Sequence, residues 1–205
     1  MDPILQGMLV GAILVVMIGP VFFSLIQTGM NQGFRFGWAM ATGVIVSDTI
    51  YVLITYLGIS RLLNSPNIEM WLSLGGSIIL FVFGLKMVIK PNVITENIPG
   101  ESSRSTKIFK KFVSGFLLNG INPFVMVFWI TVASAVSANF NYTGSQSFRF
   151  YFTILCMVYV SDLLKVYTAK KLRNIITLRY IALFNRIAGI LLIIFGIRLL
   201  YFALS

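Results

Sequence analysis

Two aspartates stand where an apolar chain has least reason to put them. Asp48 falls at the midpoint of a hydrophobic run from about 37 to 59, and Asp162 lies well inside another from about 148 to 169. A carboxyl group at mid-membrane is costly, and such groups usually face a cavity and mark ion or proton pathways. The plainer reading is an aspartate hydrogen-bonded to a neighbouring helix. Lys165 follows Asp162 by one helical turn, so the two can pair on one face, or the lysine can snorkel to the basic end of its run. Ser47 and Ser161 precede the two acids, and Tyr51 follows Asp48 by one turn.

Two prolines are equally out of place. Asn122-Pro123 lies within a run from about Phe112 to Ser137, flanked by Gly115, Asn119 and Gly120. A proline inside a helix removes an amide donor and clashes with the carbonyl four residues back. Lipid cannot satisfy the freed carbonyl, so such a break persists only where protein or a wet cavity covers it. Gly19-Pro20 makes a similar break in the first run. A half-helix that begins at a break presents free amides and a positive dipole end, suited to a carboxylate. Gly19, Pro20, Asn119, Asn122 and Pro123 are therefore candidates for substrate binding, Asp48, Asp162 and Lys165 for proton or ion coupling, and Ser47, Ser161 and Tyr51 for support. No catalytic residue is expected.

The elements that must position these residues follow from composition. The chain has 205 residues, 58% hydrophobic and 11% charged, against about a quarter charged in soluble domains. Six runs, near 4–28, 37–59, 68–89, 112–138, 148–169 and 180–204, can each cross a core of ~30 Å with about 20 residues. The expected fold is all-α and integral to the membrane, one domain over 1–205. Its parts are a first three-helix repeat over 1–90, a mobile cytoplasmic linker over 91–111 and a second repeat over 112–205.

The net charge of +10 gathers in loops. Lys86, Lys90, Arg104, Lys107, Lys110 and Lys111 mark the middle loop and its edges, Lys170, Lys171, Arg173 and Arg179 the fifth, and Arg35 the first. The positive-inside rule then puts the middle loop in the cytoplasm and both termini outside. The basic residues read as topology determinants rather than a nucleic-acid surface. Met1-Asp2-Pro3 carries no basic leader, and the first run is too long for a signal sequence, so it is expected to stay as a span. A lone cysteine, Cys156, excludes an internal disulfide or a dithiol redox pair. The absence of histidine excludes histidine-based triads, histidine-ligated haem and typical zinc sites. No metal or other cofactor is implied.

Three short matches recur in order between the halves. Gly19-Pro20 answers Asn122-Pro123, Val46-Ser47-Asp48 answers Val160-Ser161-Asp162, and Phe83-Gly84-Leu85-Lys86 answers Phe195-Gly196-Ile197-Arg198. Each half has three spans, so the second must enter from the opposite side and the repeat is inverted. Such symmetry brings both broken helices and both aspartates to one mid-membrane point, the arrangement of a secondary carrier.

With these residues in view, the sequence resembles the LysE/RhtB family of amino-acid exporters over essentially its whole length. The first-span pattern is similar to the family's Pro-Gly-Pro with spaced glycines, here Gly19-Pro20, Gly29, Gly33, Gly37, Gly43 and Gly58. The fourth is similar to its asparagine-rich motif, here Gly115, Asn119, Asn122 and Pro123, followed by Phe128-Trp129. Ile18 and Phe124 stand where members usually have a proline and often a lysine. The resemblance implies a multi-pass protein of the bacterial inner membrane, not an enzyme, that exports amino acids or their derivatives in exchange for protons. Its partners would be the small-molecule substrate, protons and lipid, with self-association left open. Three other readings compete. A carrier of the same architecture for an inorganic ion would depend on both aspartates and little on the asparagines. An intramembrane thiol–disulfide enzyme meets the objection of the single cysteine. An assembly factor leaves paired mid-membrane acids without a reason.

Overall fold

In a computed structural model of the chain, residues 2–16, 19–62, 66–89, 104–136, 142, 144–172 and 178–204 are described, and all regular structure among them is helical. The elements are α1 (Pro3–Val16), α2 (Pro20–Gln32), α3 (Phe34–Leu62), α4 (Pro66–Ile89), α5 (Arg104–Gly120), α6 (Pro123–Ala135), α7 (Gly144–Leu172) and α8 (Leu178–Leu204).

The prolines divide what the hydropathy runs join. Pro20 and Pro123 each stand at the first position of a helix, where a missing N–H costs nothing and the fixed φ is already helical. The α1–α2 pair bends by 71° and the α5–α6 pair by 61° at these breaks. Phe34–Tyr56 and Gly144–Ala169 are long and apolar enough to cross a membrane, which makes up to four spans if each bent pair is one. Shorter apolar stretches, Leu74–Ile89 and Gly189–Tyr201, lie within α4 and α8.

The outward faces are apolar. Leu9, Ile13 and Val16 of α1, Ile54 of α3, Val82 and Ile89 of α4 and Ile194 and Ile197 of α8 are each more than half exposed. Soluble proteins rarely expose apolar patches on this scale, whereas a lipid-facing surface consists of them.

Inside, α4 packs on α8, α3 on α5, and α7 on both α1 and α2, with α3, α6 and α7 meeting at the centre. Gly43 and Gly115 make the α3–α5 crossing close. A Cβ on Gly43 would run into the backbone of Phe112 and Phe116, and one on Gly115 into that of Met40. Gly33 turns the chain from α2 into α3 at φ 89°, a conformation that only glycine adopts without strain. Gly7 and Gly11 let α1 lie directly on α7 at Phe150, Thr153 and Met157. The largest apolar cluster joins α3, α6 and α7 around Trp129, Phe150 and Ile154, all essentially inaccessible.

Residues 104–111, expected to end the linker, form the first two turns of α5. There Ile108 and Phe109 stand among Lys107, Lys110 and Lys111, a pattern too polar to register as a span. Residues 90–103 of the linker lie outside the described residues.

Candidate functional site

The two breaks open onto one cavity of about 230 Å³. Of the residues singled out by sequence, Gly19, Pro20, Asp48, Asn119, Asn122, Asp162 and Lys165 line it together. They come from α2 and its entry, α3, α5, the α5–α6 break and α7. The other four are not among its lining residues. Pro123 and Ser47 are buried, Ser161 is half-buried, and Tyr51 braces the break.

Protein groups close the α5–α6 break at several of the backbone positions the proline disturbs. Asn122 takes an extended conformation (φ −81°, ψ 110°), and its side-chain oxygen accepts from the Phe124 N–H at 3.1 Å. The Asn122 N–H donates to the Asn119 carbonyl at 3.1 Å, and the Val125 N–H to the Asn122 carbonyl at 3.1 Å. The Gly120 carbonyl, left without its helical donor, accepts from the Tyr51 hydroxyl at 2.6 Å. Tyr51 thus satisfies in protein what lipid cannot. Ser47 packs beside it, where a Cβ on Gly120 would sit 3.2 Å from its hydroxyl oxygen.

The α1–α2 break is built differently. Gly19 is extended (φ −156°, ψ −171°) and has no side chain to cap α2. Pro20 has no N–H to offer. The amides of Val21 and Phe22 follow, and both residues line the cavity.

Asp48 is 1% exposed. Its Oδ1 accepts from Asn119 Nδ2 and from Trp129 Nε1, each at 2.9 Å. Asn119 is itself held by a second bond to the Val44 carbonyl at 3.3 Å. Among the described residues no donor meets Oδ2. Asp162, 3% exposed, has its Oδ1 2.9 Å from Lys165 Nζ, one turn along the same helix. The ammonium group also lies 5.6 Å from the centre of the Phe22 ring, within cation–π range. The pairing alternative for Lys165 is therefore the one observed. The rest of the wall is apolar, notably Leu14, Val21, Phe22, Phe124, Ile187 and Leu191.

Two buried residues leave no clear mark in the sequence. Trp129, in the sequence only an aromatic after the Asn-Pro motif, is fully buried and donates to Asp48. The usable signal was its depth, because a tryptophan away from the interface still needs a partner for its N–H. Lys111, in the sequence one of the loop charges, is 2% exposed inside α5. Among the described residues no group of three or more cysteine, aspartate or glutamate side chains is placed to hold a metal.

The chain is similar in sequence to known proteins. "Putative amino acid efflux protein YcgF" of Bacillus subtilis (strain 168) is 28% identical over 199 residues, covering 96% of this chain and 94% of the relative. The leucine efflux protein of Klebsiella pneumoniae is 27% identical over 60% of this chain and 58% of its own length. The chemotactic transduction protein ChpE of Pseudomonas aeruginosa is 26% identical over 70% of this chain and 69% of its own. No solved structure matches. The LysE type translocator family matches residues 12–202, nearly the whole chain with both helix breaks and both buried aspartates inside it, and the protein belongs to that family.

Proposed function

We propose that this protein is a secondary exporter that moves amino acids or their derivatives out of the cytoplasm in exchange for protons. The observation that carries the reading is the shared cavity, where two helix starts, two buried carboxyl groups and one lysine meet. Its family and the efflux relatives support export of amino acids rather than catalysis.

A zwitterion needs opposite charges a few ångströms apart, and the cavity supplies them. The substrate's ammonium group meets the open oxygen of Asp48. Its carboxylate meets the amides of Val21 and Phe22 at the uncapped start of α2, beside Lys165. Gly19 and Pro20 shape that start, and Asn119, Asn122 and Pro123 shape the opposite wall. Asp162 holds Lys165 until the carboxylate competes for it, and the proton is exchanged at Asp48 or Asp162. Ser47, Ser161 and Tyr51 support the wall from behind. The apolar remainder of the cavity suits an apolar side chain.

In this reading six spans form two inverted three-helix repeats, 1–90 and 112–205, joined by a cytoplasmic linker over 91–111. Part of the packing supports it. Exchanging α1–α4 with α5–α8 turns the α3–α5 contact into α7–α1 and α2–α7 into α6–α3, and it leaves α4–α8 and α3–α7 unchanged. The match of Gly84 with Gly196 carries Gly189 onto Ser77. A Cβ on Gly84 would meet the Gly189 carbonyl at 2.7 Å, and one on Gly196 the Ser77 carbonyl at 3.1 Å. One repeat rocking against the other would change access to the cavity. By the positive-inside rule both termini face outward across the bacterial inner membrane.

An efflux screen of all amino acids in vesicles carrying the protein, with and without a pH gradient, tests this. Export of one or a few amino acids that accelerates with the gradient is expected. Export of none, or export indifferent to the gradient, removes the substrate class or the coupling respectively.

A further inference from the structure

The tightest helix contacts do not follow the order of the chain. Between α3 and α5, a Cβ on Gly43 would run into the Phe112 carbonyl, and one on Gly115 into that of Met40. A Cβ on Gly7 of α1 or Gly29 of α2 would stand 2.8 Å from a carbonyl oxygen of α7, that of Phe150 or of Val166. Backbone laid on backbone leaves no side chain to repack, so such helices move together. Hydrogen bonds add α6 to the first pair. Asn119 of α5 and Trp129 of α6 both donate to Asp48 of α3, and Asn119 donates also to the Val44 carbonyl. Two bodies result, α3 with α5 and α6, and α7 with α1 and α2. Each takes its broken helix from one repeat and its long helix from the other, and exchanging the repeats turns one body into the other. α4 and α8, which meet where Gly84 lies on the Gly189 carbonyl, form a third unit.

Contacts between the two bodies are of another kind. Gly37 of α3 faces the side chain of Val166. The Thr42 hydroxyl lies 3.1 Å from that of Tyr159, and the Thr28 hydroxyl donates to Met40 Sδ at 3.4 Å. An apolar cluster sets Val52, Val125 and Trp129 against Phe150 and Ile154. Side chains packed in this way can slide and repack, as in shear motions of helices.

The central cavity lies in this seam. Asp48, Asn119 and Asn122 line it from one body, and Gly19, Pro20, Asp162 and Lys165 from the other. Each charged group bonds within its own body, Asp48 to Asn119 and Trp129, and Lys165 to Asp162. A ligand shifts an equilibrium between two arrangements only by its difference in affinity for them. A molecule anchored on one body keeps the same contacts whichever way the bodies lie. A molecule anchored on both gains or loses contacts as the seam moves.

We propose that the transported molecule must carry a free ammonium group and a free carboxylate together, because it switches the protein by bridging the seam from Asp48 on one body to Lys165 on the other. Molecules with only one of these groups bind and do not switch it. The proposal rests on the export reading and narrows its substrates to amino acids unblocked at both ends. It also draws the line of rocking between these bodies, each of which contains parts of both repeats.

The test uses proteoliposomes loaded with radiolabelled L-leucine, at equal and alkaline pH on both sides so that few protons return the carrier. Two analogues keep the shape of leucine and lose one charge. Leucinamide lacks the carboxylate, and 2-hydroxy-4-methylpentanoate lacks the ammonium group. External L-leucine should speed efflux about tenfold or more, the worth of one contact to a charged group, and either analogue less than about twofold. Placed inside with the leucine, each analogue should compete and slow efflux. An analogue that speeds efflux as leucine does overturns the bridge and leaves export intact. Analogues that neither compete nor stimulate also overturn it, since each keeps one anchor. Efflux indifferent to external leucine overturns the switching role. A protein that moves no leucine overturns export of apolar amino acids, and the bridge falls with it.

Discussion

Asp48 and Asp162 each follow Val-Ser in the middle of a long helix, α3 and α7, and each opens into the same cavity. Their surroundings differ. Asp48 accepts from two neutral donors, the Asn119 amide and the Trp129 indole, both from the opposite half of the chain. Asp162 accepts from a cation in its own helix. Neutral donors solvate a carboxylate without cancelling its charge, so Asp48 still presents a charge to the cavity. The Asp162–Lys165 pair presents none until it opens. In the proposed reading the two repeats have thus been differentiated, with Asp48 open to a cation or proton and Asp162 held by its own counter-ion.

The largest effect expected from breaking this contrast is at Asp48. Asp48→Asn keeps an oxygen for the Trp129 and Asn119 donors, so the protein should fold and reach the membrane in normal amount. Its charge is gone, and amino-acid efflux in proteoliposomes should drop to that of empty vesicles. Transport at the wild-type rate would remove Asp48 from the mechanism and leave it as a helix-packing group.

At Asp162 the same change should first be felt as lost stability. Asp162→Asn strands the Lys165 ammonium, and breaking one partner of a buried pair costs about 3–5 kcal/mol. Accumulation in the membrane should fall sharply. Adding Lys165→Met removes the stranded charge and should recover the protein, though not its transport. If Asp162→Asn alone is stable and the double variant is no better, the pair is not what holds Asp162 in the core.

The contrast shows what the residue order carried and what it could not. Acids and prolines inside apolar runs are visible one residue at a time, because each violates what lipid tolerates. That is why Asp48, Asp162, Pro20 and Pro123 stood out, and why the helices begin at Pro20 and Pro123. Partnerships between distant positions leave no such mark. Tyr51 and Gly120 are 69 residues apart, and Trp129 and Asp48 are 81 apart. Lys111 shows another limit. Beside Lys110 it looks like loop charge, and only the rotation of α5 decides that one lysine is exposed and the next buried. The start of α5 at Arg104 was hidden for a related reason, since hydropathy alone does not distinguish a polar-faced helix from a linker.

A smaller effect should come from the donor shell of Asp48. Trp129→Phe keeps the ring in the apolar cluster and deletes the N–H. One hydrogen bond to a charged group is worth about 1.5–3 kcal/mol, so transport should slow by roughly tenfold or more. The protein should remain folded, because Asn119 still holds Oδ1. A normal rate would reduce Trp129 to a packing residue and narrow the difference between the two acids to Lys165 alone.

The smallest effects should come from the helix starts, which differ as the acids do. The start of α6 is closed by its own residue, since Asn122 caps Phe124. Asn122→Ala should cost about 1 kcal/mol, the usual worth of such a cap, without restoring a continuous helix, because Pro123 still lacks an N–H. The start of α2 is open. A Cβ on Gly19 would meet nothing within 4 Å, and its extended backbone is open to any residue, so Gly19→Ala should transport normally. Gly19→Ser is the sharper probe. Its hydroxyl can cap α2, for a stability gain of only a few tenths of a kcal/mol. In doing so it would occupy the amides assigned to the substrate's carboxylate. A raised KM for the exported amino acid, with thermal stability unchanged or slightly higher, is the expected result. If Gly19→Ser and Gly19→Ala behave alike, the carboxylate is held elsewhere in the cavity, and Lys165 becomes the group to which it must bind.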